Sequence, residues 1–371
     1  MLRPSVFDLT PDSFAELGAA RGLPAYLGKQ VLEWVYQKGV VDPAAMTNLS
    51  KDNRAKLADI VDFGQGTVIE QQVASDGTLK LLVGWPDSLN PAARDDAVSL
   101  PIAGPKGTIS SIPSSRQTEC VMIPNPERRT ACLSSQIGCP VGCAFCASGL
   151  GGLDGNLTTG RIVEQAWKLA QLPGVGRISH VVFMGMGEPL ANFANVLDAI
   201  RTINAPWGMG ISARRITIST VGLPAAIKKL CDFELPVTLA LSLHAPNDEL
   251  RRQIIPWAEY ATIAELLDAC HEWFEKTGRE ITLEYIMLGG FNDQPEHAKE
   301  LIKVAKSIRA NVNLIRYNEV KGVPFSRPAT DDVLVFQEIL RDKGVNVHIR
   351  SSRGRDIAAA CGQLRHEKAR S

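Results

Sequence analysis

From about residue 118 onward the chain alternates between apolar, β-rich runs and amphipathic helical stretches, and this rhythm restricts the fold more than any other feature. The runs fall at 130–135, 180–186, 215–220, 237–244, 281–288, 312–317 and 345–350. Helical stretches at 160–171, 192–203, 223–231, 263–277, 295–308 and 331–343 separate most of them. Strands that alternate with helices run parallel and are joined by right-handed crossovers. Repeated this often, the pattern predicts an α/β fold built on a full or partial (β/α) barrel. Chemistry in such barrels sits on the loops that follow the strands' C-terminal ends.

Upstream the texture differs. Residues 1–62 predict a small helical accessory domain with helices at 11–21, 26–38 and 51–62, the second presenting Leu27, Val31, Leu32, Trp34 and Val35 as an apolar face. Residues 63–117 predict short strands, with Asp76-Gly77 turning between 70–74 and 79–85, then a Gly/Pro/Ser-rich connecting loop at 103–117. Residues 118–371 then form the barrel core. The N-terminal residues lack a charged segment followed by an apolar one, and no run approaches the ~18 apolar residues of a membrane span. The expectation is a soluble cytoplasmic protein, so its eight cysteines read as metal-binding, catalytic or buried rather than as structural disulfides.

The loop after the first barrel strand carries Cys139, Cys143 and Cys146 in a CxxxCxxC spacing. Thiolates are soft ligands that suit an iron–sulfur cluster or zinc. Three rather than four leave one metal position without a protein ligand, the position where catalytic sites take substrate. An iron there suits the amino and carboxylate groups of S-adenosylmethionine (SAM), and an electron from the cluster then cleaves its S–C bond. The rival reading is zinc with a distant fourth ligand, or buried thiols. Met184-Gly185-Met186-Gly187-Glu188-Pro189 follows the second strand. Glycines there let backbone approach a ligand, and Glu188 suits a SAM amino group. Ser219 ends the third strand, Ser242 and His244 the fourth, and Asn318 the sixth. Each alone reads as a cap or turn residue, while together they suggest a ring around one ligand.

The runs TACLSSQIGCPVGCAFCASG, NLTTGRIVEQ, FMGMGEPLAN, LALSLHAP and GRDIAAACGQL resemble the RlmN/Cfr family of radical SAM adenosine methyltransferases. EWVYQKGV and AAMTNLSKDNRAKL are similar to that family's N-terminal domain, so the resemblance covers nearly the whole chain. It implies a partial (β/α)6 radical SAM barrel, a 4Fe–4S cluster on Cys139, Cys143 and Cys146, and two SAM per turnover. It places Gly187, Glu188, Ser219, Ser242, Leu243, His244 and Asn318 at SAM. It casts Cys361 as the thiol that first receives a methyl from SAM, Cys132 as the resolving thiol that ends in a transient disulfide with it, and Glu119 as an acid/base group. Adenine C2 and C8 are poor nucleophiles, which explains why a methyl-carrying thiol and a radical are needed. Taken alone, Cys361 would be a buried helix thiol and Cys132 a core residue. Cys120, Cys231 and Cys270 match nothing functional and read as structural.

The implied substrates are adenosine C2 in the peptidyl-transferase loop of 23S rRNA and in tRNA 3′ of the anticodon, with a flavodoxin or ferredoxin as electron donor and a monomeric enzyme. The chain departs from the family pattern at Gly155, Arg161 and Arg355 and in a longer stretch between Lys80 and Glu119, none of which touches the proposed catalytic groups. Formal charge is zero, from 40 basic and 40 acidic residues, so an RNA partner must rely on local patches. Arg128-Arg129, Arg214-Arg215, Lys228-Lys229 and the set Arg350, Arg353, Arg355, Arg365, Lys368 and Arg370 supply them. Three rivals stand: a C8 methyltransferase, a radical SAM enzyme acting on a small molecule, and a zinc-bearing RNA-binding protein without catalysis.

Overall fold

Three helices open the chain, α1 (Pro11–Ala19), α2 (Leu27–Tyr36) and α3 (Lys51–Ile60), close to their predicted positions. Thr10 and Ser13 cap α1 reciprocally, and the Ser50 side chain accepts from the Asn53 N–H at the start of α3. α2 buries Leu27, Val31, Leu32 and Val35, each contributing about 1.5–3 kcal/mol on leaving water. Phe7 packs on Tyr36 and Trp167, and Trp167 Nε1 donates to the Val35 carbonyl at 2.8 Å. The helices thus share one continuous apolar core with the rest of the molecule.

The computed structural model describes residues 3–86 and 116–364. The expected loop at 103–117 lies outside the described residues except for its last two, and so do Arg365, Lys368 and Arg370. Next come β1 (Thr67–Val73), β2 (Leu79–Trp85), β3 (Arg116–Asn125) and β4 (Arg128–Cys132), an antiparallel meander. β5 (Gln136–Gly138) and β6 (Leu153–Asn156) form a separate ribbon, followed by α4 (Thr159–Ala170). From β4 the main sheet turns parallel through β7 (His180–Phe183), β8 (Ile216–Thr220), β9 (Thr238–Ser242), β10 (Ile281–Met287), β11 (Ala310–Arg316) and β12 (Val347–Arg350). The crossovers carry α5 (Phe193–Asn204), α6 (Pro224–Leu230), α7 (Asp248–Ile254), α8 (Ile263–Thr277), α9 (Pro295–Ser307) and α10 (Thr330–Asp342). The predicted strand–helix alternation is what forms.

Among the described residues the sheet has ten strands with β1 and β12 at its ends, so the barrel they form is open rather than closed. Thr130 of β4, Val182 of β7, Thr217 of β8, Glu284 of β10, Ile315 of β11 and Arg350 of β12 line one cavity of about 670 Å³. A closed eight-stranded barrel fills that space with side chains; here the interior stays open. β3 and the β5–β6 ribbon were not among the predicted strands. β3 mixes charge with apolar residues and contains Pro124, and β5 has only three residues, so neither has the alternation that marks a strand locally. Pairing decides them, as with Glu119 of β3 opposite Leu82 of β2. Among the described residues, no helix is long and apolar enough to cross a membrane.

Candidate active site

The loop after β4 folds back through the β5–β6 ribbon, which anchors the three cysteines. Cys139 N–H donates to the Gly152 carbonyl at 3.0 Å, Cys146 N–H to the Cys143 carbonyl at 3.0 Å, and Ala144 N–H to the Ile254 carbonyl at 2.9 Å. Gly138 has φ 77°, and a Cβ there would collide with the Gly152 carbonyl oxygen, so only glycine lets the ribbon close. Cys139, Cys143 and Cys146 line a single cavity of about 130 Å³. Burial, and then their mutual repulsion as thiolates, pushes Cys139 up to about 12 and Cys143 well above its ordinary range. Such thiols deprotonate readily only against a cationic centre. Among the described residues, no three His, Cys, Asp or Glu side chains converge on one point as ligands of a single ion would. Three thiols lining one cavity match the ligand set of an iron–sulfur cluster, in which each thiolate binds a different iron.

Gly187, Glu188, Ser219, Ser242 and His244 line the same cavity, each from the loop or strand end that follows the order of the sheet. Glu188 is buried, with Oε1 accepting from Leu190 N–H at 3.0 Å and Oε2 from Val221 N–H at 2.8 Å. Burial outweighs those hydrogen bonds and raises its pKa to about 7. Ser219 and Ser242 hydroxyls meet at 3.2 Å. His244 takes φ 59°, and its Nδ1 accepts from Ile286 N–H at 3.1 Å, which leaves the ring proton on Nε2. Burial and then the Arg251 charge lower its pKa to about 3, so it acts as a neutral donor.

Cys361 lines this cavity and also the larger one, and Asn318 lines the larger one with its Nδ2 at 3.5 Å from the Cys361 carbonyl. Cys132, at the end of β4, belongs to a small apolar cluster with Val121, Met186, Ala359 and Leu364. Its thiol is pushed up to about 12 by burial and then by Cys361, so the two thiols stand within electrostatic reach. Both are free thiols here. Burial raises Cys361, and the Arg350 guanidinium opposes that rise. Arg350 lines both cavities, pairs with the buried Glu284 at 3.7 Å and donates to Met184 Sδ at 3.2 Å. The wall of the larger cavity includes Arg128, Arg214, Arg215 and Arg353, a cationic rim around Cys361.

Leu243, Glu119 and Cys132 line neither of these two cavities, and Asn318, expected at SAM, lines only the larger one. The Leu243 side chain is fully buried in the core, its N–H bonds to Leu241 and Glu284 carbonyls, and its carbonyl accepts from Arg251 Nε at 3.1 Å. Glu119 lines a separate cavity of about 330 Å³, paired with Lys80 at 2.7 Å. Arg161 is buried and structural, its Nε donating to Gln65 Oε1 at 3.2 Å. Cys120, Cys231 and Cys270 are core residues. Sequence reasoning missed Glu284, whose signal was a carboxylate inside the otherwise apolar run of β10 and whose Oε1 accepts from Asn313 Nδ2 at 3.0 Å.

The match to known families agrees with this geometry. Residues 133–302 match the family model of the radical SAM superfamily, and residues 5–62 match the ribosomal RNA large subunit methyltransferase N-terminal domain. The chain is 43% identical over 350 residues to the probable dual-specificity RNA methyltransferase RlmN of Trichormus variabilis, covering 94% of this chain and 90% of that one. It is 42% identical over 356 residues to the protein of the same description from Thermosynechococcus vestitus, covering 95% and 96%. The crystal structure of a radical SAM methyltransferase from Sphaerobacter thermophilus superposes with a TM-score of 0.87 at 37% identity, over 97% of this chain and 99% of that one.

Proposed function

This chain belongs to the RlmN family of dual-specificity RNA methyltransferases, and from that premise we propose that it methylates adenosine C2 in the peptidyl-transferase loop of 23S rRNA and in tRNA 3′ of the anticodon. As a radical SAM enzyme it uses a 4Fe–4S cluster and SAM. Cys139, Cys143 and Cys146 hold the cluster, and Gly187, Glu188, Ser219, Ser242 and His244 surround SAM. The observation that carries the reading is the position of Cys361 at the boundary of two cavities, one with the cysteine triad and one with a cationic rim.

Cys361 thiolate, favoured by Arg350, takes the methyl group of a first SAM. The cluster, when bound, supplies the electron that cleaves a second SAM to a 5′-deoxyadenosyl radical. The S-methyl group on Cys361 loses a hydrogen atom to that radical and, as a methylene radical, adds to C2 of an adenine seated in the larger cavity. Cys132 removes the C2 proton while the ring adduct gives up its unpaired electron, which the oxidised cluster would accept; as a thiolate it then attacks the Cys361 sulfur, and the departing methylene carbon takes a proton, which frees the methylated base and leaves a disulfide for external reduction. Glu119 has an acid/base role in the second half-reaction only once its pair with Lys80 opens. Arg128, Arg214, Arg215 and Arg353 hold phosphates of an RNA whose base is unstacked. We assign residues 1–62 to RNA shape recognition, 63–117 to a connecting segment and 118–371 to the catalytic core. A monomer in the cytoplasm, reduced by a flavodoxin or ferredoxin, completes the reading. Mass spectrometry of nucleosides from treated rRNA and tRNA tests it: 2-methyladenosine is expected, and 8-methyladenosine or unmodified RNA overturns the assignment.

A further inference from the structure

The segment that carries Cys361 has little structure of its own. Its one regular turn is Arg355–Ile357, and the backbone bends left-handed at Gly354 (φ 65°) and at Ala358 (φ 49°). A left-handed alanine is strained, so surrounding contacts must hold it. They come from the turn between β1 and β2. Gly354 N–H donates to Asp76 Oδ2 at 3.0 Å, and Ser75 N–H donates to Asp356 Oδ2 at 2.8 Å. The turn and the Cys361 segment therefore exchange charge-assisted hydrogen bonds in both directions. Gly354 also packs on Thr78 so closely that a Cβ would stand 2.9 Å from Thr78 Cγ2. Lys80 Nζ, in its ion pair with Glu119, faces the Ala358 carbonyl at 3.4 Å, at the bend shortly before Cys361. Asp76 and Asp356 line neither of the two cavities that meet at Cys361, and Lys80 lines only the separate one behind.

We propose that Asp76 and Lys80 are positioning residues that clasp the Cys361 segment and set the thiol between the SAM cavity and the substrate cavity. The inference rests on Cys361 as the methyl carrier. A carrier that receives a methyl from one cavity and delivers it to another works only if its sulfur is held to within a fraction of an ångström of both. Burial alone would raise the Asp76 pKa, but hydrogen bonds from Thr78 and Gly354 and the charge of Arg353 carry it below its ordinary value, as an acceptor kept ionised requires.

The test compares the full-length, anaerobically reconstituted wild type with Asp76→Asn, in which one amide oxygen must serve both the Thr78 and the Gly354 N–H. The Asp76 side chain is 27% exposed, so the fold tolerates the change. Three readouts are taken: S-methylation of Cys361 by peptide mass, 5′-deoxyadenosine release from SAM, and the alkylation rate of Cys361 by iodoacetamide in cluster-free protein. Methylation of Cys361 should slow about tenfold or more, with 5′-deoxyadenosine release nearly unchanged and Cys361 alkylation faster. Wild-type methylation and alkylation rates overturn the proposal, and so does a proportional loss of SAM cleavage, which marks a general structural defect. A Lys80→Gln variant removes the ammonium that faces the Ala358 carbonyl while keeping a hydrogen-bond donor beside Glu119, and it reads the same first methyl transfer. It should show the same signature, and recovery to wild-type rates overturns the role of Lys80. If the wild type itself gains no methyl on Cys361, the proposed function fails, while the alkylation rates still test the clasp.

Discussion

Replacing Gly187 with alanine tests the site's sterics and its chemistry together. Gly187 has φ 103°, and an added Cβ would stand 2.7 Å from Gln136 Cβ and 2.7 Å from Ser135 Oγ. Gln136 has no freedom to withdraw: its Oε1 accepts from Glu188 N–H at 2.8 Å and its Nε2 donates to Asn156 Oδ1 at 2.8 Å. The backbone conformation, past the left-handed helical region, costs alanine about 1–3 kcal/mol, and overpacking adds about 1–3 kcal/mol. Together they destabilise by roughly 2–6 kcal/mol. Gly278→Ala separates the two effects, because Gly278 has φ 66° with no heavy atom within 4 Å of its would-be Cβ, so only the strain of about 1–2 kcal/mol applies. Urea unfolding of cluster-free protein should place Gly187→Ala clearly below Gly278→Ala. SAM binding to the reconstituted protein should weaken for Gly187→Ala alone, since the relief of the clash moves Glu188. Equal destabilisation of the two variants with unchanged SAM affinity would refute the reasoning.

The remaining predictions concern thiols, protons and phosphates. Cys361→Ala should abolish methylation yet keep reductive SAM cleavage, whereas Cys132→Ala should trap a protein–RNA adduct visible by gel shift; free methylated RNA from either variant removes that thiol from the mechanism. His244 is held neutral with a pKa near 3, so the unfolded state binds its proton first. Its stabilising contribution is complete above pH ~6.5 and declines as pH falls toward 3, at about 1.4 kcal/mol per pH unit. Unfolding of cluster-free wild type should lose more stability from pH 6.5 to 5 than His244→Gln does, and parallel losses would contradict the burial argument. Arg214→Gln should lower the slope of log affinity for rRNA against log salt by about 0.7–0.9, the value for one phosphate contact. An unchanged slope places Arg214 outside the RNA interface.

The barrel was readable because its signal is local. Apolar runs such as 237–244 and 281–288 alternate with amphipathic helices, and hydrophobic periodicity dictates both element type and parallel pairing without reference to distant residues. The cysteine triad and the glycines after β7 were readable for the same reason, since their meaning lies in short spacing. Partners far apart in the chain were not. Whether Glu119 faces the reacting base or Lys80 depends on the register of β2 against β3, and Leu243, just past the end of β9, is buried in the core. Glu284, buried, and Arg350, half-buried, become one ion pair on the cavity that Cys361 lines only when the open sheet curls. Sequence by itself determined the elements, their order and the ligands that share a loop. Tertiary structure decided which charges and thiols meet, because electrostatics and hydrogen bonding act through space and are set by the curvature and register of the whole sheet.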